Sequence, residues 1–494
     1  MVRWARGALL ESLTIDRSVP RRLGLQISNG LRDLIVAGSL KPGDRLPATR
    51  TLAKEFGVSR ATIVESFDRL ISEGILETRV GAGTYVAQSL PADPLPKTAP
   101  TLDPPPAHIR PKEMDGAANR FGERLVHAPR PFTTAMPALD AFPMAQWARL
   151  SAKHWRGRRN DILGYPEALG YRPLRQAVAA HLRINRGIVC DWQEVIITAG
   201  AQQAFHLIGT TLAAPGDRVW FEEPGAIGAR NSLILAGLDP VPVPVDASGL
   251  DVEAGVALAP EFRLAFVTPA HQQPLGMKMS LERRLALLRA AGAAGAFVIE
   301  DDWDSEFAFS GRPVPPLRSL DTGGRVVYVG SFSKSLFPAL RIGFLLAPDG
   351  LADHFRLSLD AAAPGVPTAL QAILADFLDE GHFTTHVRRM RKLYADRHQV
   401  LQAAAAEHLA DWLDVVPTDI GMHTVGWVKP PLNADRLARA AADQGVTLTP
   451  VARFALRPYP KQGVVLGFSG FSESQLLTGV QALRCVFDTL AHTL

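Results

Sequence analysis

Between Ser89 and Lys112 the chain places eight prolines: Pro91, Pro94, Pro96, Pro100, the triplet Pro104-Pro105-Pro106, and Pro111. Proline lacks an amide hydrogen and fixes its own φ, so neither a helix nor a central strand can run through this stretch. Extended polyproline geometry remains, and the segment reads as a semi-rigid linker. The chain must then fold as two bodies. Its 494 residues agree, being too many for one ordinary core. We place a first domain at residues 13–88, the linker at 89–115 and a second domain at 116–494.

With 47% hydrophobic and 21% charged residues, both bodies have enough apolar side chains for a core. The formal charge of +4 permits nucleic-acid binding without arguing for it. Cys190 and Cys485 are the only cysteines, which excludes a disulfide framework and offers no zinc spacing; no metal is expected. The apolar run Ala8-Leu9-Leu10 is too short for a signal peptide or a membrane span, so a cytoplasmic protein without membrane contact is expected.

In the first domain, Ile27, Leu31, Leu34 and Ile35 form one apolar stripe of a helix capped by Gly38. A short helix follows Pro47, running through Thr51 to Phe56. After Gly57-Val58, Ser59 is a good N-cap for a third helix whose Ile63, Phe67, Leu70 and Ile71 face inward and which ends at Gly74. Two helices joined by a tight glycine turn make a helix-turn-helix. Its second helix presents Arg60, Thr62 and Glu65 near the end that meets base edges, with Arg60 the best base reader. Ile75 to Arg79 and Thr84 to Val86 make a hairpin around Gly81 and Gly83, a wing whose Arg79 and glycine amides can approach phosphates. Leu46-Pro47-Ala48-Thr49-Arg50, Gly57-Val58-Ser59-Arg60-Ala61-Thr62 and the wing segment Arg79 to Val86 together resemble the GntR-type winged-helix reader. The resemblance implies DNA contacts at Arg50 and Arg60, and double-stranded operator DNA as partner.

The second domain alternates apolar strand-like runs with helical patterns. The runs lie at Glu194 to Ile197, Arg218 to Phe221, Leu264 to Val267, Ala296 to Ile299 and Arg325 to Val329. Short, doubly apolar strands separated by helices predict a mainly parallel sheet covered on both faces, an α/β unit, with a smaller C-terminal subdomain from about residue 350 to 494. Lys334, in Gly330-Ser331-Phe332-Ser333-Lys334-Ser335, directly follows one such strand. Asp301 follows another, at the end where ligands sit in parallel sheets. Gly200 and Ala201 open a helix after a strand and offer an anion site. A lysine, a carboxylate and a phosphate clamp are the parts that Schiff-base chemistry needs.

Together these segments resemble fold-type I aminotransferases, and the whole chain resembles the MocR/GabR family of regulators. The resemblance implies that pyridoxal 5'-phosphate is held as an aldimine on Lys334 with Asp301 at its ring nitrogen. Ser331, Ser333, Arg341, Gly200 and Ala201 would surround the phosphate. Tyr165 would reach it from the partner subunit of a domain-swapped, head-to-tail homodimer, and Gln272 or Gln273 would lie near the ring hydroxyl.

Three positions depart from the family pattern. Pro224-Gly225-Ala226 lacks a stacking tyrosine, and Glu300-Asp301-Asp302-Trp303 replaces a phenol with an indole, which donates but cannot accept. Val464-Val465-Leu466-Gly467-Phe468 puts valine where an arginine clamps the substrate carboxylate. Arg230, Arg453 and Arg457 are the candidate replacements. The departures favour a sensor of small molecules, either pyridoxal phosphate itself or a small amino compound, with no confident catalytic residue. An aminotransferase with an accessory DNA-binding domain is the alternative, and a cofactor-free dimerising scaffold a third reading.

Overall fold

The computed structural model describes residues 23–79, 81–89, 129–157, 159–309, 315–362 and 365–491; the expected linker lies almost wholly outside them. The chain divides into two compact units, one within residues 1–113 and the other within 114–494.

The first unit is built from helices α1 (Leu23–Val36), α2 (Thr49–Glu55) and α3 (Arg60–Ser72) and a hairpin of β1 (Leu76–Arg79) and β2 (Gly83–Val86). Ile27, Leu31, Leu52, Ile63, Phe67 and Leu70 close one small core, so the apolar stripes read from the sequence are the faces that meet. Ser59 caps α3 as expected, and Gly57 takes the positive φ of 60° that the turn before it needs.

The second unit carries an eight-stranded sheet. We name its strands β3 (Val195–Thr198), β4 (Arg218–Glu223), β5 (Asp239–Asp246), β6 (Gly249–Leu250), β7 (Leu264–Val267), β8 (Phe297–Asp302), β9 (Val326–Ser331) and β10 (Gly343–Leu346), in spatial order β3-β10-β9-β8-β7-β4-β5-β6. From β9 through β8, β7 and β4 to β5 the strands are parallel; β10 runs against both its neighbours. Each expected strand is present, its ends within one to three residues of those expected. β5, read as Asp-Pro-Val-Pro-Val-Pro-Val-Asp, was hidden by its prolines. In register with β4, alternate residues turn their amide positions to the open side, where beyond the two-residue β6 no ladder bond is lost.

The smaller subdomain has a four-stranded antiparallel sheet of β11 (Leu413–Val415), β12 (His423–Val428), β13 (Thr449–Pro450) and β14 (Gly463–Gly467), in order β11-β12-β14-β13. Its beginning differs from the expected residue 350: Phe355 and Leu359, then Ile373, Leu374 and Phe377, pack into the cores of the large sheet. The segment from Arg130 to Ala141 instead joins the smaller subdomain. Phe132 sits in its core and bridges to Gly467 of β14.

Candidate cofactor site and nucleic-acid interface

In the first unit, α3 starts on the surface. The Ser59 hydroxyl accepts the Thr62 amide at 3.1 Å and shares a 2.9 Å hydrogen bond with the Thr62 hydroxyl. Thr62 is thereby half-buried and engaged within the cap, whereas Arg60 is exposed and its Nε donates to Thr49 Oγ1 at 3.4 Å. Arg50, next in sequence to Thr49 on the first turn of α2, is exposed as well. In the wing, Gly81 and Gly83 hold φ of 72° and 108°, and exposed Arg79 lies 4.5 Å over the Tyr85 ring while pairing with Glu77 at 2.6 Å. Arg45 escaped the sequence reading. It bridges to Tyr85, and its guanidinium stands close enough to Gly83 that a Cβ there would lie 3.2 Å from Nε. Nothing in the irregular run before Leu46 signals that placement.

In the second unit, β8 and β9 end side by side, with Asp301 paired to Val329. β9 runs through Ser331 into a one-turn helix, α4 (Phe332–Ser335), which carries Lys334 to the carboxyl end of the sheet. Among the described residues the Lys334 ammonium has one hydrogen bond, to the Ala135 carbonyl at 3.4 Å. Burial, aided by the Arg341 charge against the pull of Asp301, brings its pKa down to about 8. Asp301 is buried in the strand, with Oδ1 unpartnered, and burial plus the neighbouring Asp302, Asp304 and Glu222 charges hold its pKa well above the carboxylate range. Such an atom calls for a donor, and a positively charged one settles best among these acids.

The anion cradle is also present. Gly200, at φ 92°, turns the chain from β3 into the helix Ala201–Leu212, whose first turn has no side-chain cap. The Arg341 guanidinium stands against it: a Cβ on Gly200 would be 3.4 Å from Cζ, and one terminal nitrogen donates to Ala199 O at 2.9 Å. Ser331 Oγ accepts the Ser333 amide, and Ser333 Oγ is buried without a partner. These residues fit a pyridine nitrogen at Asp301, an aldehyde at Lys334 and a phosphate between Gly200 and Arg341.

One expected contact comes out differently. Gln272 is buried with Nε2 directed to Pro224 O at 2.8 Å, Gln273 O at 2.9 Å and Glu222 at 3.2 Å, and Oε1 accepting from Leu275. It ties two loops together and has no N–H left for a ring hydroxyl; the Gln273 side chain makes no hydrogen bond to the described residues. Tyr165 is 97% exposed on its own chain. Beneath the site, and unforeseen, Asp302 accepts from Arg186 at 2.5 Å and from the Tyr328 hydroxyl, in a pair only 4% exposed on either side.

The departures also have structural accounts. Ala226 is buried before the helix Ile227–Leu235 and presents no ring. The Trp303 indole donates to His271 O at 3.0 Å and stacks on His271 and His423, with centroids 5.3 and 5.4 Å away. Arg230 is buried with its terminal nitrogens facing the carbonyls of Phe454, Ala455 and Arg453 at 3.4, 3.1 and 3.5 Å, and its Nε has no partner among the described residues.

Residues 23–86 match the model of bacterial regulatory proteins of the gntR family, and residues 136–483 that of class I and II aminotransferases. The chain is 41% identical to the probable rhizopine catabolism regulatory protein MocR of Rhizobium meliloti, over 97% of this chain and 96% of that protein. It belongs to the MocR/GabR family. Members are transcription regulators with a GntR reader joined to an aminotransferase-like domain, and the cofactor of that domain is pyridoxal 5'-phosphate. The pyridoxine biosynthesis regulator PdxR of Corynebacterium glutamicum is 30% identical over 94% of this chain and 96% of its own length. Among solved structures, the α-aminoadipate aminotransferase LysN of Thermus thermophilus, complexed with N-(5'-phosphopyridoxyl)-L-leucine, aligns with a TM-score of 0.70 at 27% identity, covering 76% of this chain and 98% of its own. Among the described residues no helix is long and apolar enough to cross a membrane.

Proposed function

We propose that this family member reads operator DNA with α3 and the wing, and that pyridoxal phosphate is attached at Lys334 and turns the second domain into a ligand sensor. The observation that carries the reading is the pairing of a half-buried lysine, its pKa lowered to about 8, with a buried Asp301 whose Oδ1 has no partner among the described residues. When bound, the cofactor supplies an aldehyde that captures primary amines. Lys334, with its pKa lowered to about 8, gives up its proton to offer a reactive amine more readily than a free lysine does, and Asp301 would hold a proton at the ring nitrogen. Gly200, Ala201, Ser331, Ser333 and Arg341 bind the phosphate, while Gln273 takes the position at the ring hydroxyl that Gln272 cannot fill. Arg50, Arg60 and Arg79 contact DNA, with Arg45 added on the wing.

A homodimer that presents two readers to spaced half-sites suits the exposure of Tyr165, which then completes the phosphate site of its partner. The regulators of pyridoxine biosynthesis and rhizopine catabolism among the relatives support small-molecule sensing, with pyridoxal phosphate or a small amino compound as effector. Turnover is not the main role, because the stacking ring, the phenol and the carboxylate arginine are replaced by Ala226, Trp303 and Val465. The test is absorbance and DNA affinity of purified Lys334→Ala beside wild type, each incubated with pyridoxal phosphate. Wild type should acquire a visible band and the variant none, with basal affinity for DNA upstream of its own gene within about threefold. A band retained in Lys334→Ala would refute the assignment.

A further inference from the structure

We propose that the outward face of α3 carries an apolar base reader, Val64 with Ala61 beside it, for the C5-methyl group of a thymine next to the guanine that Arg60 reads. This rests on the operator reading proposed above and names the base chemistry of that same surface. The first observation is a side chain that the fold does not ask for. α3 buries Ile63, Ser66, Phe67 and Leu70, and on a helix of this period the opposite side is Ala61, Val64, Glu65 and Asp68, all exposed. Val64 is 36% exposed and belongs neither to the core of the first unit nor to the apolar residues packed on that core. Its β-branched side chain also lowers helix propensity. Neither packing nor propensity therefore accounts for a valine at this position.

The second observation is the placement of charge. A protein surface that grips the phosphate backbone does so with cations, hydroxyls and amide donors. The four outward residues include no cation and two acids, and neither Glu65 nor Asp68 has a hydrogen bond or ion pair among the described residues. The exposed cations stand to the side: Arg60, whose Nε is directed to Thr49, and Arg50 on α2. Ser59 and Thr62 are engaged with each other in the cap. The outward face therefore suits the floor of the major groove and not the phosphates that wall it. On that floor the base pairs offer amino donors, which a carboxylate accepts, and a single apolar group, the thymine methyl. Ala61 and Val64, three residues apart, make the apolar patch of this face. Val64 also follows Arg60 by one helical turn on the same side, so the two side chains reach adjacent base pairs.

The experiment enriches binding duplexes from a random-sequence DNA library with the full-length protein. The consensus duplex is then compared with copies in which one thymine at a time is replaced by deoxyuridine, which lacks only the methyl group. Affinities are read by fluorescence anisotropy at one fixed salt concentration. At a thymine beside the guanine whose selection depends on Arg60, deoxyuridine should weaken wild-type binding by about fourfold per half-site, the worth of one buried methyl group. Val64→Ala keeps α3, because alanine favours a helix more than valine does. It should bind the thymine duplex about as weakly as wild type binds the deoxyuridine duplex, and lose less than about twofold more on the exchange. Indifference to deoxyuridine at every thymine, or an equal loss in wild type and Val64→Ala, would overturn the methyl reader; an Arg60-dependent consensus would then still support the operator reading. Absence of any consensus, with DNA binding unchanged in Arg60→Ala, would overturn both.

Discussion

Replacing Arg186 by methionine isolates the ion pair beneath the cofactor site. The helix Arg172–Arg186 ends on this side chain, which reaches Asp302 at 2.5 Å with both groups 4% exposed, and the Tyr328 hydroxyl donates to the same carboxylate. Methionine keeps the aliphatic volume but leaves a buried carboxylate without its counter-ion, and breaking such a pair costs about 3–5 kcal/mol. The second unit has roughly 380 residues. At about 2.1 cal/mol/K of unfolding entropy per residue, each degree of Tm corresponds to about 0.8 kcal/mol. The expected fall is therefore about 4–6 °C, read by calorimetry at neutral pH. Adding Asp302→Asn, whose amide oxygen still accepts from Tyr328, should restore at least half of the loss. Asp301 is the next residue along β8, so the single variant should also need more pyridoxal phosphate for half-saturation. A fall below about 1 °C, or a double variant no more stable than the single one, would refute the view that the pair holds the floor of the site.

Ser59→Ala removes the cap of α3 and should cost the first unit about 1 kcal/mol, measured by urea unfolding. Arg60→Ala should weaken operator binding by about 1–3 kcal/mol while binding to unrelated DNA changes far less; a uniform loss in anisotropy titrations would make it a phosphate contact instead. Cofactor-free Lys334→Met should be more stable than wild type near pH 7. A lysine whose folded pKa is about 8 binds fewer protons folded than unfolded between pH 8 and its ordinary 10.5. Its penalty is therefore full below pH 8, up to about 3 kcal/mol, and vanishes as pH rises through that window. Calorimetry at pH 7 and pH 10.5 should show the gain at the first and little at the second.

Much of this architecture was legible because local signals and packing agree. The α3 cap at Ser59, the glycine turns and the apolar runs of β3, β4, β7, β8 and β9 each answer to a short-range rule. Asp301 and Lys334 stand out in the sequence because strand ends collect ligands, although the carboxylate lies inside β8, not in a loop after it. What escaped depends on distant partners. Gln272 and Gln273 are neighbours in sequence, and only the positions of Pro224 and Glu222 decide which amide is occupied. Arg230 looked available because the carbonyls it meets lie more than two hundred residues away. The smaller subdomain began later than expected because an amphipathic helix does not declare which sheet it covers.

The segment from Arg130 to Met136 gives the domain a point of mechanical leverage. Pro131 accepts a hydrogen bond from Thr447, Phe132 bridges to Gly467 two residues from Val465, Ala135 offers its carbonyl to Lys334, and Met136 accepts from Ser469. Phe132 and Ala135 hold positive φ of 67° and 60°, a conformation that non-glycine residues keep only under constraint. Four ties therefore hold this short segment at once, three to the smaller subdomain and one to Lys334. A change at the Lys334 ammonium loosens one tie of a backbone whose two strained residues are kept in place only by such ties, so its effect should reach the edge of the smaller sheet at Gly467.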